Sequence, residues 1–136
     1  MSKTQSSDFD SLDKSALLDL CDRLLEEEGA AIKTCVAFIE ADTRGLWHGR
    51  ARAMMARRFK HVRLSESQQA RVVHAVLERL VNGRISEQFK DQLRYVLHVA
   101  PRKAFTAARR CRGSAFEYMR RCADWILSHE PKGGES

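Results

Sequence analysis

The stretch best suited to chemistry on a charged partner runs from Arg102 to Arg112, RKAFTAARRCR. If it is a helix, the 100° step between residues divides it into two faces. The first face is small and apolar and holds Ala104, Phe105, Ala108 and Cys111. The second is basic and holds Arg102, Lys103, Thr106, Arg109 and Arg110. Its four positive charges can bind phosphates or carboxylates, because arginine pairs with both through a planar fork.

A second basic stripe is predicted on the helix that covers about residues 46–61. Arg50, Arg57 and Lys60 share one side of that helix, with Ala53 between them. Like charges on one helix face repel one another, and a bound anionic partner offsets this repulsion. We therefore predict that this stripe and the basic face of residues 102–110 are nucleic-acid-binding surfaces.

Two aromatic residues are candidates for stacking on bases. Tyr118, Arg121 and Trp125 follow one another at i, i+3 and i+7 near the end of the chain. Exposed rings interleaved with arginine suit base stacking or a protein-binding hot spot. The alternative is that both rings are buried against a neighbouring helix. We also predict that Arg121 binds nucleic acid.

Positive and negative charges are segregated along the chain. The net charge of the whole sequence is +6, but residues 1–43 carry −6, residues 44–121 carry +14 and residues 122–136 carry −2. A basic middle region predicts binding either to RNA or DNA or to an acidic protein surface. A third possibility is that the acidic N-terminal helices fold over the basic face and mask it.

Neither the cysteines nor the histidines are spaced as metal ligands. The four cysteines occupy apolar helical positions without a C-x-x-C pair, and we predict buried free thiols at Cys21, Cys35, Cys111 and Cys122. The chain also lacks a glycine-rich phosphate loop, G-x-S-x-G and H-E-x-x-H. We therefore expect no enzyme activity, no catalytic residue, no cofactor and no metal site.

Apolar periodicity predicts an all-α protein of about seven short antiparallel helices. The predicted spans are about 13–28, 30–41, 46–61, 66–81, 87–100, 101–112 and 115–128. Gly29 is expected to end the first helix, Asn82-Gly83 the fourth and Gly113 the sixth. The expected N-terminal signals are a capping box of Ser65 with Gln68, a cap at Ser86, Pro101 at the first helical position, and a capping box of Ser114 with Glu117.

The sequence predicts a single helical domain over residues 13–129, with a flexible acidic tail at 1–12 and a flexible tail at 130–136. The apolar stripes place Trp47, Ala70 and Phe116 toward its core. No apolar run approaches the ~20 residues that cross a bilayer, and the N-terminus has no apolar signal segment. We therefore expect a cytoplasmic protein that does not bind membranes.

Residues 36–59 and 103–126 form a degenerate internal repeat. Ala37-Phe38 aligns with Ala104-Phe105, and Arg44-Gly45 aligns with Arg112-Gly113, so that both units read helix, R-G turn, helix. This pattern resembles HEAT-like helical-hairpin repeats, and the resemblance implies helix pairs stacked into a short curved slab. A compact helical bundle is the alternative arrangement.

Taken together, these features predict a non-catalytic nucleic-acid-binding protein whose arginine-rich helix faces contact phosphate backbones. By size, charge and helicity, the chain is similar to the small helical subunits of larger nucleoprotein complexes, such as CRISPR effector complexes. The alternative is a protein-interaction adaptor that docks an acidic partner through the same basic surface.

Overall fold

The computed structural model describes residues 9–86 and 88–131. In these ranges the chain forms seven α-helices and no β-strand, which confirms the predicted all-α class. The helices are α1 (Lys14–Leu25), α2 (Gly29–Ala41), α3 (His48–Phe59), α4 (Glu66–Val81), α5 (Phe89–Val99), α6 (Pro101–Cys111) and α7 (Glu117–Leu127). Residues 1–8, Glu87 and residues 132–136, which hold most of the two predicted tails, lie outside the described residues.

The helices pack as two alternating rows. The odd-numbered helices pack in the order α1, α3, α5, α7, and the even-numbered helices pack in the order α2, α4, α6. Consecutive helices also pack across the two rows, as in α1 with α2, α5 with α6 and α6 with α7. The segments of the sequence repeat, 36–59 and 103–126, therefore make equivalent steps from the even row to the odd row.

The two R-G turns of that repeat differ in what their glycines do. At Gly45, a Cβ atom would lie 2.7 Å from the ring Nε2 of His48, so the turn needs a residue without a side chain. At Gly113, a Cβ atom would meet nothing within 4 Å. The first turn therefore has no room for a side chain at its glycine, whereas the second turn has.

One apolar core runs through both rows of helices. Its largest members have less than 2% of their surface exposed and include Leu24, Phe38, Met55, Leu80, Leu93 and Ile126. The predicted apolar face of α6 is buried, and Ala107 is buried with it. Because three of the five buried side chains of α6 are alanines, α4, α5 and α7 can all pack closely against this helix.

Three predicted helix boundaries are wrong. Gly29 begins α2 instead of ending α1, because the chain leaves α1 through Glu27 in a left-handed conformation with φ of 56°. The residue before α5 is Gln88, also left-handed, so Ser86 does not cap that helix. Ser114 Oγ accepts a hydrogen bond from the N–H of Phe116, so α7 begins at Glu117 without a capping box.

Among the residues predicted to face the core, Trp47, Ala70 and Phe116 are at the surface or only partly buried. Trp47 precedes α3 in a left-handed conformation with φ of 72°, and its ring is half-buried beneath Lys14 and Arg50. Ala70 is exposed, and Phe116 is 57% exposed. In the opposite direction, Phe9 is buried and packs edge-on against Phe38 with ring centroids 5.7 Å apart. The packed structure thus includes Phe9, within the segment predicted to be a flexible tail.

The capping box at the start of α4 is confirmed, and it makes a measurable prediction. Ser65 Oγ accepts the N–H of Gln68 at 3.0 Å, and the Gln68 side chain accepts the N–H of Ser65 at 2.9 Å. We expect Ser65→Ala to lower the free energy of unfolding by about 1 kcal/mol in urea denaturation. The matched control is Ser86→Ala, which removes no cap and should change stability by less than about 0.5 kcal/mol. Equal losses in the two variants would contradict the assignment of the cap.

The cysteines are free thiols as predicted, with Cys21, Cys35 and Cys111 buried and Cys122 partly buried. Burial raises the pKa of the Cys21 thiol from 9.0 to about 11 and the pKa of the Cys35 thiol from 9.0 to about 12. In the unfolded chain these thiols lose their protons near pH 9, whereas in the folded protein they stay protonated at that pH. The stability that the neutral thiols contribute is therefore complete below pH 9 and is lost as the pH rises toward 11–12.

We therefore expect the urea midpoint to fall as the pH rises from about 9 to about 11. A Cys21→Ala/Cys35→Ala variant should show a flatter dependence over the same interval, whatever its absolute stability. Equal slopes for wild type and variant would show that other groups cause the alkaline loss.

Candidate nucleic-acid interface

A groove of about 590 Å³ separates α4 from α6. One wall is the polar face of α6, with Arg102, Lys103, Thr106 and Arg110. The floor and the other wall are mostly aliphatic and hold Ala70, Val73, Leu77, Val81 and Ala107. Three polar side chains of the α4 side complete the lining, namely His74, Glu78 and Asn82. The predicted basic face thus forms one wall of this groove.

Local sequence explains why these two helices leave a groove. The capping box at Ser65 fixes the start of α4, and Pro101 is the first residue of α6, as predicted. Its fixed φ suits that position, and Pro has no N–H to leave unpaired there. Ala107 of α6 is a small buried residue that lines the groove.

Three of the four α6 cations have no ion pair or side-chain hydrogen bond among the described residues: Arg102, Lys103 and Arg110. The fourth, Arg109, pairs with Glu130. Glu78 is the acidic residue in the lining of the groove, and its Oε1 lies 3.7 Å from Nη2 of Arg84. The α6 wall therefore presents an uncompensated positive charge to whatever enters the groove.

The α3 stripe does not continue this surface. Arg50 stacks over the Trp47 ring at 4.9 Å, and Arg57 donates to Asp91 at 2.6 Å. Ala53, between them, is fully buried. Because α3 belongs to the odd row and α6 to the even row, the structure does not bring the two predicted stripes together on one face.

Lys60, the last member of the α3 stripe, lies at a smaller cavity of about 320 Å³. Arg94, His98 and His129 line the same cavity, together with Phe105 on the buried side of α6. Lys60 is therefore separated from the α4–α6 groove by the body of α6.

Of the two candidate stacking residues, only Tyr118 is exposed. This residue is 44% exposed, and its hydroxyl donates to the carbonyl of Gly83 at 3.0 Å. Trp125 is partly buried, with Lys90 and Arg94 over its ring at 5.1 and 5.4 Å. Arg121 forms an exposed i,i+4 ion pair with Glu117 at 2.9 Å, and exposed pairs of this kind contribute little to stability.

The exposed Phe116 gives Tyr118 an aromatic neighbour that the sequence did not predict. The two ring centroids are 5.7 Å apart and the planes are inclined by 34°. Tyr118 is anchored to Gly83, and Gly83 follows Asn82, which lines the groove with Arg110. The exposed aromatic pair Phe116–Tyr118 therefore lies beside the end of the groove where α4 finishes.

The acidic N-terminal helices do not mask the α6 wall. α1 packs on α2 and α3, whereas the helices that pack on α6 are α4, α5 and α7. Two of the N-terminal acids instead pair with other arginines: Asp22 with Arg58 at 3.4 Å, and Glu40 with Arg71 at 2.6 Å. Among the described residues, α1 is a core helix that leaves the α6 wall uncovered.

A buried polar cluster lies under the α2–α3 turn and away from the groove. Asp42 Oδ1 lies 3.2 Å from Nε of Arg79, whose side chain is 4% exposed. Arg79 also donates to the carbonyl of Ile39. Burial lowers the pKa of Arg79, and the negative charge of Asp42 offsets part of this effect. The Asp42–Arg79 pair thus connects the end of α2 to α4.

Arg52 and His48 extend this cluster into α3. Arg52 is 1% exposed and donates to the carbonyl of Thr43 at 2.7 Å, and burial, followed by the charge of Arg79, lowers its pKa to about 10. His48 Nε2 donates to the carbonyl of Leu12 at 2.9 Å, so Nδ1 accepts from the Thr43 hydroxyl. These contacts hold the turn and the entry to α1 together.

Comparison with known proteins gives no assignment. No protein-family model, curated protein or solved structure matches this chain significantly. In the described ranges, no group of three or more His, Cys, Asp and Glu side chains is arranged to hold a metal ion. None of the seven helices described combines the length and apolar character needed to cross a bilayer.

Proposed function

We propose that this protein is a non-catalytic nucleic-acid-binding module that holds phosphates along the α6 wall of the α4–α6 groove. The observation that carries the proposal is the exposed cluster Arg102, Lys103 and Arg110, which has no acidic partner among residues 9–86 and 88–131. These cations span about 12 Å of helix. A phosphate backbone supplies negative charge at regular intervals over that length and releases counterions on binding.

A HEAT-like stack of helical hairpins is part of the same proposal. The alternating rows of helices support it, as does the equivalent position of the two repeat segments. In such stacks one row of helices presents a continuous surface, and here the even row carries the groove. This arrangement is compatible with a role as a small helical subunit of a nucleoprotein complex.

The aliphatic floor favours a second candidate function, which is docking of an acidic amphipathic helix from a protein partner. Leu77 and Val81 on α4 would take the apolar side of such a helix, and the α6 cations would take its carboxylates. The two functions differ in their response to salt, because phosphate binding weakens log-linearly with ionic strength and a mixed apolar interface weakens less.

The experiment is a titration of the full chain with labelled single- and double-stranded RNA and DNA at two salt concentrations. We expect micromolar or tighter binding that weakens as salt increases. A folded sample that binds none of these ligands at low salt would contradict the nucleic-acid function. The same titration with an acidic amphipathic peptide would then test the second candidate.

A further inference from the structure

The two walls of the groove differ in charge, and this asymmetry indicates which form of nucleic acid fits. The α6 wall is cationic, whereas the α4 wall is aliphatic and includes the acidic Glu78. A duplex carries phosphates on both sides of each of its grooves, so it would face cations on one wall and apolar side chains on the other. A single strand places its phosphates on one side and its bases on the other.

The packing of α4 against α6 gives the same answer. Axes of packed helices lie about 8–10 Å apart, and a duplex is wider than this spacing, because its major groove alone is about 12 Å wide. A duplex could therefore contact the rims at Arg102 and Arg110 but could not reach the floor at Leu77. A single strand can reach the floor of the groove, because its bases turn away from its one backbone.

The exposed aromatic pair supplies a surface on which a base can stack. Phe116 is 57% exposed and Tyr118 is 44% exposed, and both belong to the short list of large apolar side chains that remain at the surface. The Tyr118–Gly83 hydrogen bond holds the pair beside the groove end that Asn82 and Arg110 line. Stacking on aromatic rings is the usual way in which proteins bind unpaired bases without reading their sequence.

We propose that the α4–α6 groove and the Phe116–Tyr118 pair form a binding site for single-stranded nucleic acid, with phosphates on the α6 wall and a base stacked on Phe116. The inference rests on the proposed nucleic-acid function and specifies its ligand. The groove orients the strand, and the aromatic pair contacts a base where the strand leaves the groove.

The test compares a fluorescein-labelled 12-nucleotide single strand, as RNA and as DNA, with the corresponding duplex. We expect the single strand to bind at least about tenfold more tightly than the duplex. Phe116→Ala should weaken single-strand binding about tenfold, leave the salt dependence unchanged and leave duplex binding unchanged. Phe116→Trp should restore the affinity, since any large aromatic ring can stack.

Leu46→Ala is the matched control, because Leu46 is 89% exposed and lies in the α2–α3 turn. It should leave binding unchanged. Equal affinity for single strand and duplex, with no effect of Phe116→Ala, would overturn the single-strand inference while the nucleic-acid function stands. Absence of binding to both ligands would overturn the function and the inference together.

Discussion

Replacing Asp42 by Asn will lower the free energy of unfolding by about 3 kcal/mol, because the change leaves the buried guanidinium of Arg79 without its counter-charge. Asn is the appropriate substitution, since Asp42 has φ of 55° and Asn tolerates the left-handed region. The loss therefore reports the missing charge and not backbone strain. Urea denaturation followed by circular dichroism measures it.

Asp22→Asn is the matched control for this prediction. Asp22 pairs with Arg58 at 3.4 Å, but its side chain is 74% exposed. Removing an exposed pair of this kind should cost less than about 1 kcal/mol. If Asp42→Asn were no more destabilising than Asp22→Asn, the Asp42–Arg79 pair would not be what joins α2 to α4.

Changing Arg102, Lys103 and Arg110 together to Ala will weaken nucleic-acid binding about 100-fold without unfolding the protein. Each contact between a cation and a phosphate contributes about 1 kcal/mol, and the three side chains are exposed and unpaired among the described residues. The plot of log K against log salt should also become shallower by about 2 for a single strand, since three phosphate contacts are lost.

The control for this variant removes the same amount of charge from the other end of the stack. Arg23, Lys33 and Arg44 lie on α1, α2 and the α2–α3 turn, and their joint change to Ala should alter affinity by less than about twofold. A similar loss in both triple variants would mean that the protein binds through its net charge and has no defined site.

The helices and the basic face of α6 could be predicted from the sequence because they depend on local periodicity. The spacing of apolar and basic residues from Arg102 to Cys111 gives the same two faces in any packing arrangement. The capping box at Ser65 and the Pro101 start are equally local, and both are present.

The groove itself could not be predicted, because it requires knowing that α4 packs beside α6. The helices are separated in the chain by α5, and only the two-row arrangement makes them neighbours. The exposure of Phe116 has a different cause. Its apolar character predicted burial, but the chain turns into α7 one residue later and leaves the ring at the surface.

The two buried arginines, Arg52 and Arg79, have a signal in the sequence that the charge of the side chain conceals. Arg79 follows Val72, Val73 and Val76 in helical register and so falls on the buried side of α4. Arg52 lies one residue after Ala51 and three before Met55, both of which are buried. Position on the helix was the better signal in both cases, since a counter-charge or a backbone carbonyl supplied by another element can satisfy a buried guanidinium.

Hydrogen exchange of the backbone amides, with and without a saturating single-stranded oligonucleotide, tests the binding site most directly. We predict added protection in α4 from residue 70 to 82, in α6, and at residues 113–118, with α1 and α2 unchanged. Protection confined to α1 and α2 or to the Lys60 cavity, or spread evenly over the surface, would contradict a site in the α4–α6 groove.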